Sequence, residues 1–167
     1  MQIEDEKKRK LIKAFGTTAV IILIAQAINI YVVANVKDAS KVLLNGFLQL
    51  TYVENTGGAF GIGANDTIGF ILINILVLGI IIHFMISQVD RIDRKTMMSL
   101  NLMLSGGISN LIDRIVRGFV VDYIDVSQIF KFPVFNLADI CIFLGWIILI
   151  ISILIYWRKE VKAKKKS

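Results

Sequence analysis

Four long apolar runs constrain this chain more than any other feature of its sequence. A helix needs about 20 apolar residues to cross the hydrocarbon core of a bilayer. Runs of this kind cover about 15–36, 68–87, 97–116 and 137–156. The mean hydropathy is +0.70, and 56% of the residues are hydrophobic, which the surface of a soluble domain does not tolerate. The sequence predicts an all-α membrane protein of four transmembrane helices, with residues 1–167 in a single membrane domain.

Lysine and arginine set the orientation of the predicted helices. If both ends of the chain share one side of the membrane, 14 of the 19 basic residues lie on that side. Such an excess marks the cytoplasmic side, which places the segments 37–67 and 117–136 outside. The first run is too long for a cleavable signal peptide, so we expect it to be retained. The basic ends flank apolar runs and lack interleaved aromatic residues, so anionic membrane lipids explain them better than nucleic acid.

The first outward segment has two parts. Residues 42–53 alternate loosely between apolar and polar side chains around the turn dipeptide Asn45-Gly46, which predicts a small sheet on the membrane surface. The following stretch from Glu54 to Gly63 contains four glycines. They form either a flexible turn or a backbone that approaches a ligand closely. No Gly-Lys-Ser/Thr follows, which excludes a phosphate-binding loop.

Polar residues recur every fourth position in the third run. This spacing keeps side chains on one face of a helix. Lipid cannot satisfy such a stripe, so we expect it to face the interior of the bundle. The small residues of the run suit close helix packing. The large polar residues beside them, Asn110 and Arg114, are not explained by close packing and indicate a functional site. The stripe consists of Asn101, Ser105, Ser109, Asp113 and Arg117.

The fourth run begins with a helix-start signal. Asn136 is a good N-cap, and Asp139 lies three residues later, where a capping box places an acidic side chain. Asp139 is therefore either a capping residue or a functional carboxylate at the outward-facing edge of the membrane. Asp122 lies in another polar stretch at that edge. Ionisable groups cost about 2.5–3.5 kcal/mol each at membrane depth and are usually kept for chemistry or transport.

Two carboxylates held close together share a proton, because both cannot ionise easily. One then activates a water molecule while the protonated one polarises a carbonyl, which is the chemistry of an aspartic protease. We expect Asp139 to be charged, owing to the helix N-terminus, and Asp122 to carry the proton.

Other chemistries find less support in the sequence. His83, the only histidine, lies deep in the second run, far from Cys141. We interpret His83 as a packed or lipid-interface residue and Cys141 as a small apolar filler. Ser127 and Lys131 have the spacing of a Ser-Lys dyad but lie in a predicted loop. The aspartates at 113, 122, 125 and 139 could in principle hold a hard cation. No ligand spacing supports that, so we expect neither a metal nor another cofactor.

Four motifs, in this order and spacing, resemble those of the bacterial lipoprotein signal peptidases (signal peptidase II), and the likeness covers nearly the whole chain. They are Glu54-Asn-Thr-Gly-Gly-Ala-Phe-Gly61, Gly106-Gly-Ile-Ser-Asn-Leu-Ile-Asp-Arg114, Gly118-Phe-Val-Val-Asp122-Tyr-Ile-Asp125 and Phe135-Asn-Leu-Ala-Asp139.

The resemblance implies an intramembrane aspartic endopeptidase of the bacterial cytoplasmic membrane. Such enzymes remove the signal peptide from diacylglyceryl-modified prolipoproteins, cutting before the lipidated cysteine, and are blocked by globomycin. It implies a four-helix bundle with an extracytoplasmic β-cradle and with both termini in the cytoplasm. Asp122 and Asp139 match the catalytic pair, and Asp113 matches a structural acid. The positions that match residues lining the site or contacting substrate are Asn55, Gly57, Phe60, Asn110, Arg114 and Asn136.

The chain departs from the family pattern in its first run. An Asp-Gln-x-x-Lys pattern is usual there, whereas this chain has Ala25 and Asn29 in the charged positions. Losing both charges together leaves no unpaired buried charge. The pair is either a structural tether replaced by apolar and amide groups or the mark of a divergent paralogue. Two alternatives to the protease remain: a paralogue that binds precursors with little or no cleavage, and a small proton or ion carrier.

Overall fold

The structure is a computed structural model that describes residues 2–58, 66–129 and 131–164. Within these ranges the chain forms four helices and three strands. The helices are α1 (Gln2–Asn35), α2 (Thr67–Ser87), α3 (Arg94–Arg117) and α4 (Leu137–Lys164). The strands are β1 (Lys41–Leu44), β2 (Leu48–Asn55) and β3 (Val120–Asp125). The protein is therefore mostly helical with one small sheet, as the sequence predicts.

Three helices of the described part are long and apolar enough to cross a membrane. They are Glu4–Asn35 within α1, the whole of α2, and α4. Two of them extend beyond the predicted spans, since α1 begins before residue 15 and α4 continues past residue 156. Large apolar side chains such as Leu23, Leu72 and Phe143 are exposed on these helices. Such a surface suits contact with lipid rather than water.

Helix α3 is the centre of the helical part, because it contacts α1, α2 and α4. Its polar stripe is buried from Asn101 to Asp113, so the inward orientation predicted from the four-residue spacing is confirmed. Gly106 lies against the backbone of Ala138 in α4, and Gly107 lies against Leu78 in α2. The small residues of α3 therefore allow close helix packing, while its larger polar residues remain available for other partners.

The three strands form one antiparallel sheet in the order β1-β2-β3. The predicted turn between β1 and β2 is present, and Gly46 adopts a φ of +71°, which a residue with a Cβ rarely adopts. In the second pair of strands, Val53 lies opposite Asp122. Val121 and Tyr123 of β3 pack against Val32 and other residues at the end of α1. Because side chains alternate along a strand, Asp122 points to the opposite side of the sheet.

Two helix ends set the positions of the polar residues. Helix α3 ends at Gly118, whose φ of +83° turns the chain sharply into β3. At the start of α4, Asn136 Oδ1 accepts from the Asp139 backbone N–H at 2.9 Å, and Asp139 Oδ2 accepts from the Asn136 backbone N–H at 3.1 Å. This is the predicted capping box. It holds the Asp139 side chain beside the first turn of α4.

Candidate active site

Asp122 is held in the middle of β3 by two side-chain amides. Its side chain is 2% exposed. Asn55 of β2 donates from Nδ2 to Asp122 Oδ2 at 2.9 Å, and Asn136 donates from Nδ2 to Asp122 Oδ1 at 2.7 Å. Each carboxylate oxygen therefore has one fixed donor. The buried carboxyl is oriented rather than free to rotate.

Asp139 lies in the first turn of α4 and is half-buried. Asn110 of α3 donates from Nδ2 to Asp139 Oδ1 at 2.9 Å, while Oδ2 takes part in the capping box. Capping explains only one of its two oxygens. The second accepts from the polar face of α3, so Asp139 joins the start of α4 to α3.

Asn110 and Asn136 connect the two carboxylates. Asn136 Nδ2 donates to Asp122 and also lies 3.3 Å from Asn110 Oδ1, while Asn110 Nδ2 donates to Asp139. A series of hydrogen bonds therefore connects the two aspartates through two amides, one on α3 and one at the N-cap of α4. Asn55, Asn110 and Asn136 were predicted as lining or substrate-contacting residues. All three contact the aspartates directly.

The two carboxylates also influence each other electrostatically. Burial, together with the nearby Asp139 charge, raises the pKa of Asp122 to about 7. The amides of Asn55 and Asn136 and the guanidinium of Arg114 oppose this rise. Asp122 is therefore suited to hold a proton at neutral pH.

Arg114 lies on the same side of α3 as Asn110 and is fixed by two contacts. Its Nη2 donates to the Gly57 carbonyl at 2.8 Å, and its guanidinium lies 5.3 Å from the centre of the Phe70 ring. Its buried Nε has no hydrogen-bond partner in the described part of the chain. The Gly57 N–H donates to Asn55 Oδ1 at 3.0 Å, which orients the amide that contacts Asp122. Phe60, the other predicted contact residue, lies outside the described residues.

A cavity of about 800 Å³ contains both aspartates. The sheet residues Val53 and Asn55 line one side, and Asn110 and Arg114 line another. Two parts of its lining were not predicted, namely the segment 132–135 and the side of α4 that ends at Trp146. The segment has no periodic pattern, and Trp146 lies in a run that is apolar on every side. The sequence therefore contains no signal that separates Trp146 from lipid-facing residues.

Asp113 lies outside this cavity and is completely buried. It accepts from Asn29 Nδ2 at 2.8 Å and Gln26 Nε2 at 3.2 Å, both on α1, and from the Val121 backbone N–H at 3.1 Å. Arg117 completes its contacts with an ion pair. Asp113 therefore links α1, α3 and β3. The part of Gln26 in this link was not foreseen, although its three-residue spacing from Asn29 places both amides on one helix face.

The remaining polar residues serve other purposes. Asp125 accepts from Gln49 at 2.6 Å, from Thr51 at 3.1 Å and from the Ser127 N–H at 2.8 Å, so it closes a turn beside the sheet. These bonds lower the pKa of Asp125 to about 2. His83 is exposed on α2 and Cys141 is buried in α4. The described residues contain no group of three or more His, Cys, Asp or Glu side chains that could hold a metal ion.

Known proteins resemble this chain in sequence. Residues 17–155 match the sequence profile of the family described as Signal peptidase (SPase) II. A lipoprotein signal peptidase of Caldicellulosiruptor bescii is 40% identical over 129 residues, covering 77% of this chain and 82% of the relative. Another from Clostridium acetobutylicum is 36% identical over 140 residues, covering 82% and 90%.

Solved structures show the same likeness in three dimensions. One, described as a bacterial membrane enzyme determined by the in meso method at 2.3 Å, matches with a TM-score of 0.77 and 28% identity. The match covers 85% of this chain and 87% of that one. A second bacterial membrane enzyme, determined at 1.9 Å, matches with a TM-score of 0.76 and 27% identity, covering 85% and 92%. From these sequence and structural matches together, the chain belongs to the signal peptidase II family.

Proposed function

We propose that this protein is an aspartic endopeptidase that removes the signal peptide from diacylglyceryl-modified prolipoproteins, with Asp122 and Asp139 as its catalytic pair. Membership of the signal peptidase II family gives the class of reaction and substrate. The observation that supports the residue assignment is the position of both carboxylates in one cavity, joined through Asn110 and Asn136.

The pair reacts as a monoanion. Asp122 carries the proton and donates it to the scissile carbonyl oxygen, while ionised Asp139 takes a proton from the attacking water. The resulting tetrahedral diol collapses when its C–N bond breaks. The proton on Asp139 passes to the leaving amine, and Asp122 recovers its proton from the diol hydroxyl. Both atoms and charge balance, and the pair returns to its starting state.

The amides around the pair support this division of roles. Asn110 and the Asn136 backbone donate to Asp139, and the N-terminus of α4 favours negative charge there. Asp122 is buried in the middle of β3, and burial raises its pKa. The neighbouring Arg114 guanidinium supplies positive charge at the edge of the same cavity.

The protein spans the bacterial cytoplasmic membrane four times as one domain, with both termini in the cytoplasm and the active site at the outer face. Three apolar helices and the central position of α3 support four spans. The excess of basic residues on the side that holds both termini supports a cytoplasmic location of the termini. The sheet then forms the extracytoplasmic β-cradle over the cavity.

Substrate enters from the lipid. Phe143 and Trp146 line the cavity and are also half or more exposed on α4, so the cavity reaches the apolar surface of the bundle. A signal peptide is itself an apolar helix and can approach along that surface, while the diacylglyceryl chains stay among the membrane lipids. A globomycin-type cyclic peptide would occupy the same cavity and compete with the precursor.

A cleavage assay tests the proposal. Purified protein in detergent or lipid is mixed with a diacylglyceryl-modified precursor, and the product is followed by gel shift and mass spectrometry. Wild type should cut before the lipidated cysteine, and Asp122→Asn and Asp139→Asn should abolish cutting. Asp125→Asn is the matched control, because this acid lies on the same strand as Asp122 but bonds to a turn. Precursor binding without cleavage by the wild type would overturn the proposal.

A further inference from the structure

The hydroxyl of Tyr123 contacts the first turn of the helix that carries Asp139. Tyr123 follows Asp122 in β3 and is 4% exposed. Its side chain points to the opposite side of the sheet from Asp122, where it packs with Val32, Val36 and Val121. From there its hydroxyl oxygen accepts a hydrogen bond from the Leu137 backbone N–H at 3.2 Å.

This hydrogen bond completes the connection between β3 and the start of α4. The first N–H groups of a helix have no partner within the helix. Asn136 supplies an acceptor to the Asp139 N–H, and Tyr123 supplies one to Leu137. The Tyr123 backbone N–H also donates to the Phe135 carbonyl at 3.0 Å. One residue of β3 therefore fixes the chain immediately before α4 and the first residue of the helix itself.

We infer that Tyr123 is a positioning residue of the peptidase, whose hydroxyl sets the register of the α4 N-terminus relative to β3 and so the separation of the two aspartates. Tyr123 is not among the described residues that line the cavity, so it acts without touching substrate. Its two neighbours in this link, Asp122 on one side and the Asn136–Asp139 capping box on the other, are the groups whose spacing matters. The inference depends on the proposed function.

The test removes the hydroxyl and keeps the ring. Tyr123→Phe retains the packing against α1 but leaves the Leu137 N–H without its acceptor. Because small displacements of catalytic groups cost up to about 100-fold in rate, kcat should fall by about 10- to 100-fold, with KM unchanged. The activity should be normalised to folded protein, since a loss of folded enzyme alone would also lower the rate.

The pH profile supplies a readout that a general loss of stability would not change. The charged groups facing Asp122 are Asp139 on α4, which raises its pKa, and Arg114 on α3, which lowers it. If the start of α4 moves away from β3, the effect of Asp139 weakens and the alkaline limb of kcat should move to lower pH. The limb does not report the tyrosine itself, because burial raises the pKa of Tyr123 to about 12.

A control and a second variant make the test specific. Tyr52→Phe removes a hydroxyl that donates to Glu54 at 2.8 Å, from a tyrosine that packs against the same apolar cluster. It should leave kcat and the alkaline limb unchanged. Leu137→Pro removes the same hydrogen bond from the donor side, and proline suits the first position of a helix. Adding Tyr123→Phe to Leu137→Pro should cause no further loss of kcat.

The outcomes separate this inference from the proposed function. A wild-type protein that does not cleave the precursor contradicts the proposed function. A wild type that cleaves, with Tyr123→Phe matching Tyr52→Phe in kcat and in the alkaline limb, overturns the role of Tyr123 alone. Additive losses in the double variant would also overturn it. If Leu137→Pro does not fold, the pH limb of Tyr123→Phe decides the question.

Discussion

The side-chain amide of Asn136 donates to Asp122 Oδ1 across 2.7 Å. The same side chain caps α4 through its oxygen, which accepts from the Asp139 N–H. One residue therefore orients a carboxyl on β3 and fixes the helix turn that holds the other. The two functions use different atoms of the amide, so substitution can separate them.

Asn136→Ser should inactivate the enzyme while retaining the helix cap. Serine is a good N-cap but lacks a donor that reaches Asp122. The lost hydrogen bond to the Asp122 carboxyl should lower kcat/KM by about 10- to 100-fold, while the melting temperature should fall less than in Asn136→Ala. Asn136→Ala should lose the cap as well and cost about 1 kcal/mol of stability. Steady-state cleavage and thermal unfolding in detergent measure both effects. Full activity in Asn136→Ser would contradict the orienting role.

The activity should decline at alkaline pH with an apparent pKa near that of Asp122, about 7. In the proposed mechanism the pair holds one proton, so kcat/KM should fall about tenfold per pH unit above this value. Asp125, with a pKa of about 2, stays ionised over the same range and cannot cause the limb. The measurement is kcat/KM from about pH 5 to about pH 9 with a non-titrating precursor. A flat profile across this range would contradict the monoanionic pair.

The same raised pKa has a consequence for stability. The pKa of an aspartate in an unfolded chain is about 3.9, so between that value and about 7 the folded state binds more protons than the unfolded state. Stability should therefore fall as pH rises through this window and level off above it. Asp122→Asn removes the titration, so the pH dependence of its melting temperature should be flatter than that of wild type. If the melting temperatures of wild type and Asp122→Asn depend equally on pH, the group with the raised pKa is not Asp122.

Local features of this site could be predicted from the sequence. Asn136 and Asp139 are three residues apart, and a capping box needs no information beyond that spacing and the apolar run that follows. The turn at Gly46 follows in the same way from a dipeptide. The inward stripe of α3 depends only on helical periodicity and the cost of polar groups in lipid.

Contacts between distant parts of the chain could not be predicted in this way. Asn29 and Asp113 are 84 residues apart, and the sequence marks Asn29 as a departure from the family pattern without indicating its partner. Tyr123 reaches Leu137 because Phe135, two residues before α4, forms a β-bridge with Ile124 of β3. Such partners depend on sheet register and helix packing, which single-sequence patterns do not specify. A capping box can therefore be predicted from one short segment, whereas a contact such as that of Tyr123 with Leu137 cannot.

Gly106→Ala should weaken both stability and catalysis. A Cβ on Gly106 would overlap the carbonyl oxygen of Ala138 and lie 2.8 Å from Ile142 Cγ1. Since the obstacle is backbone, α4 must shift at the residue before Asp139, and overpacking of this kind costs about 1–3 kcal/mol. Gly79→Ala on α2 is the matched control, because a Cβ there meets nothing within 4 Å. Melting temperature and kcat/KM are compared for the two variants. Equal behaviour would show that the contact between α3 and α4 does not position the site.

Removing Asp113 should cost more stability than removing any single donor around it. Asp113→Ala leaves Arg117 without its partner and deprives Asn29 and the Val121 N–H of their acceptor, so we expect a loss of about 3–5 kcal/mol. Asn29→Ala removes one donor and should cost about 1–3 kcal/mol, because Gln26, Arg117 and Val121 still satisfy the carboxylate.

A variant on the same helix supplies the control for these losses. Asn35→Ala removes an exposed amide whose one bond within the described residues is to the Tyr31 carbonyl of its own helix, so it should stay within about 0.5 kcal/mol of wild type. Unfolding free energies from denaturant titration in mixed micelles provide the comparison. If Asn29 stabilises the fold through Asp113, the double variant should lose less than the two single losses added together. Strict additivity would mean that the amide at position 29 acts through packing alone, and that α1 is not tied to β3 through this carboxylate.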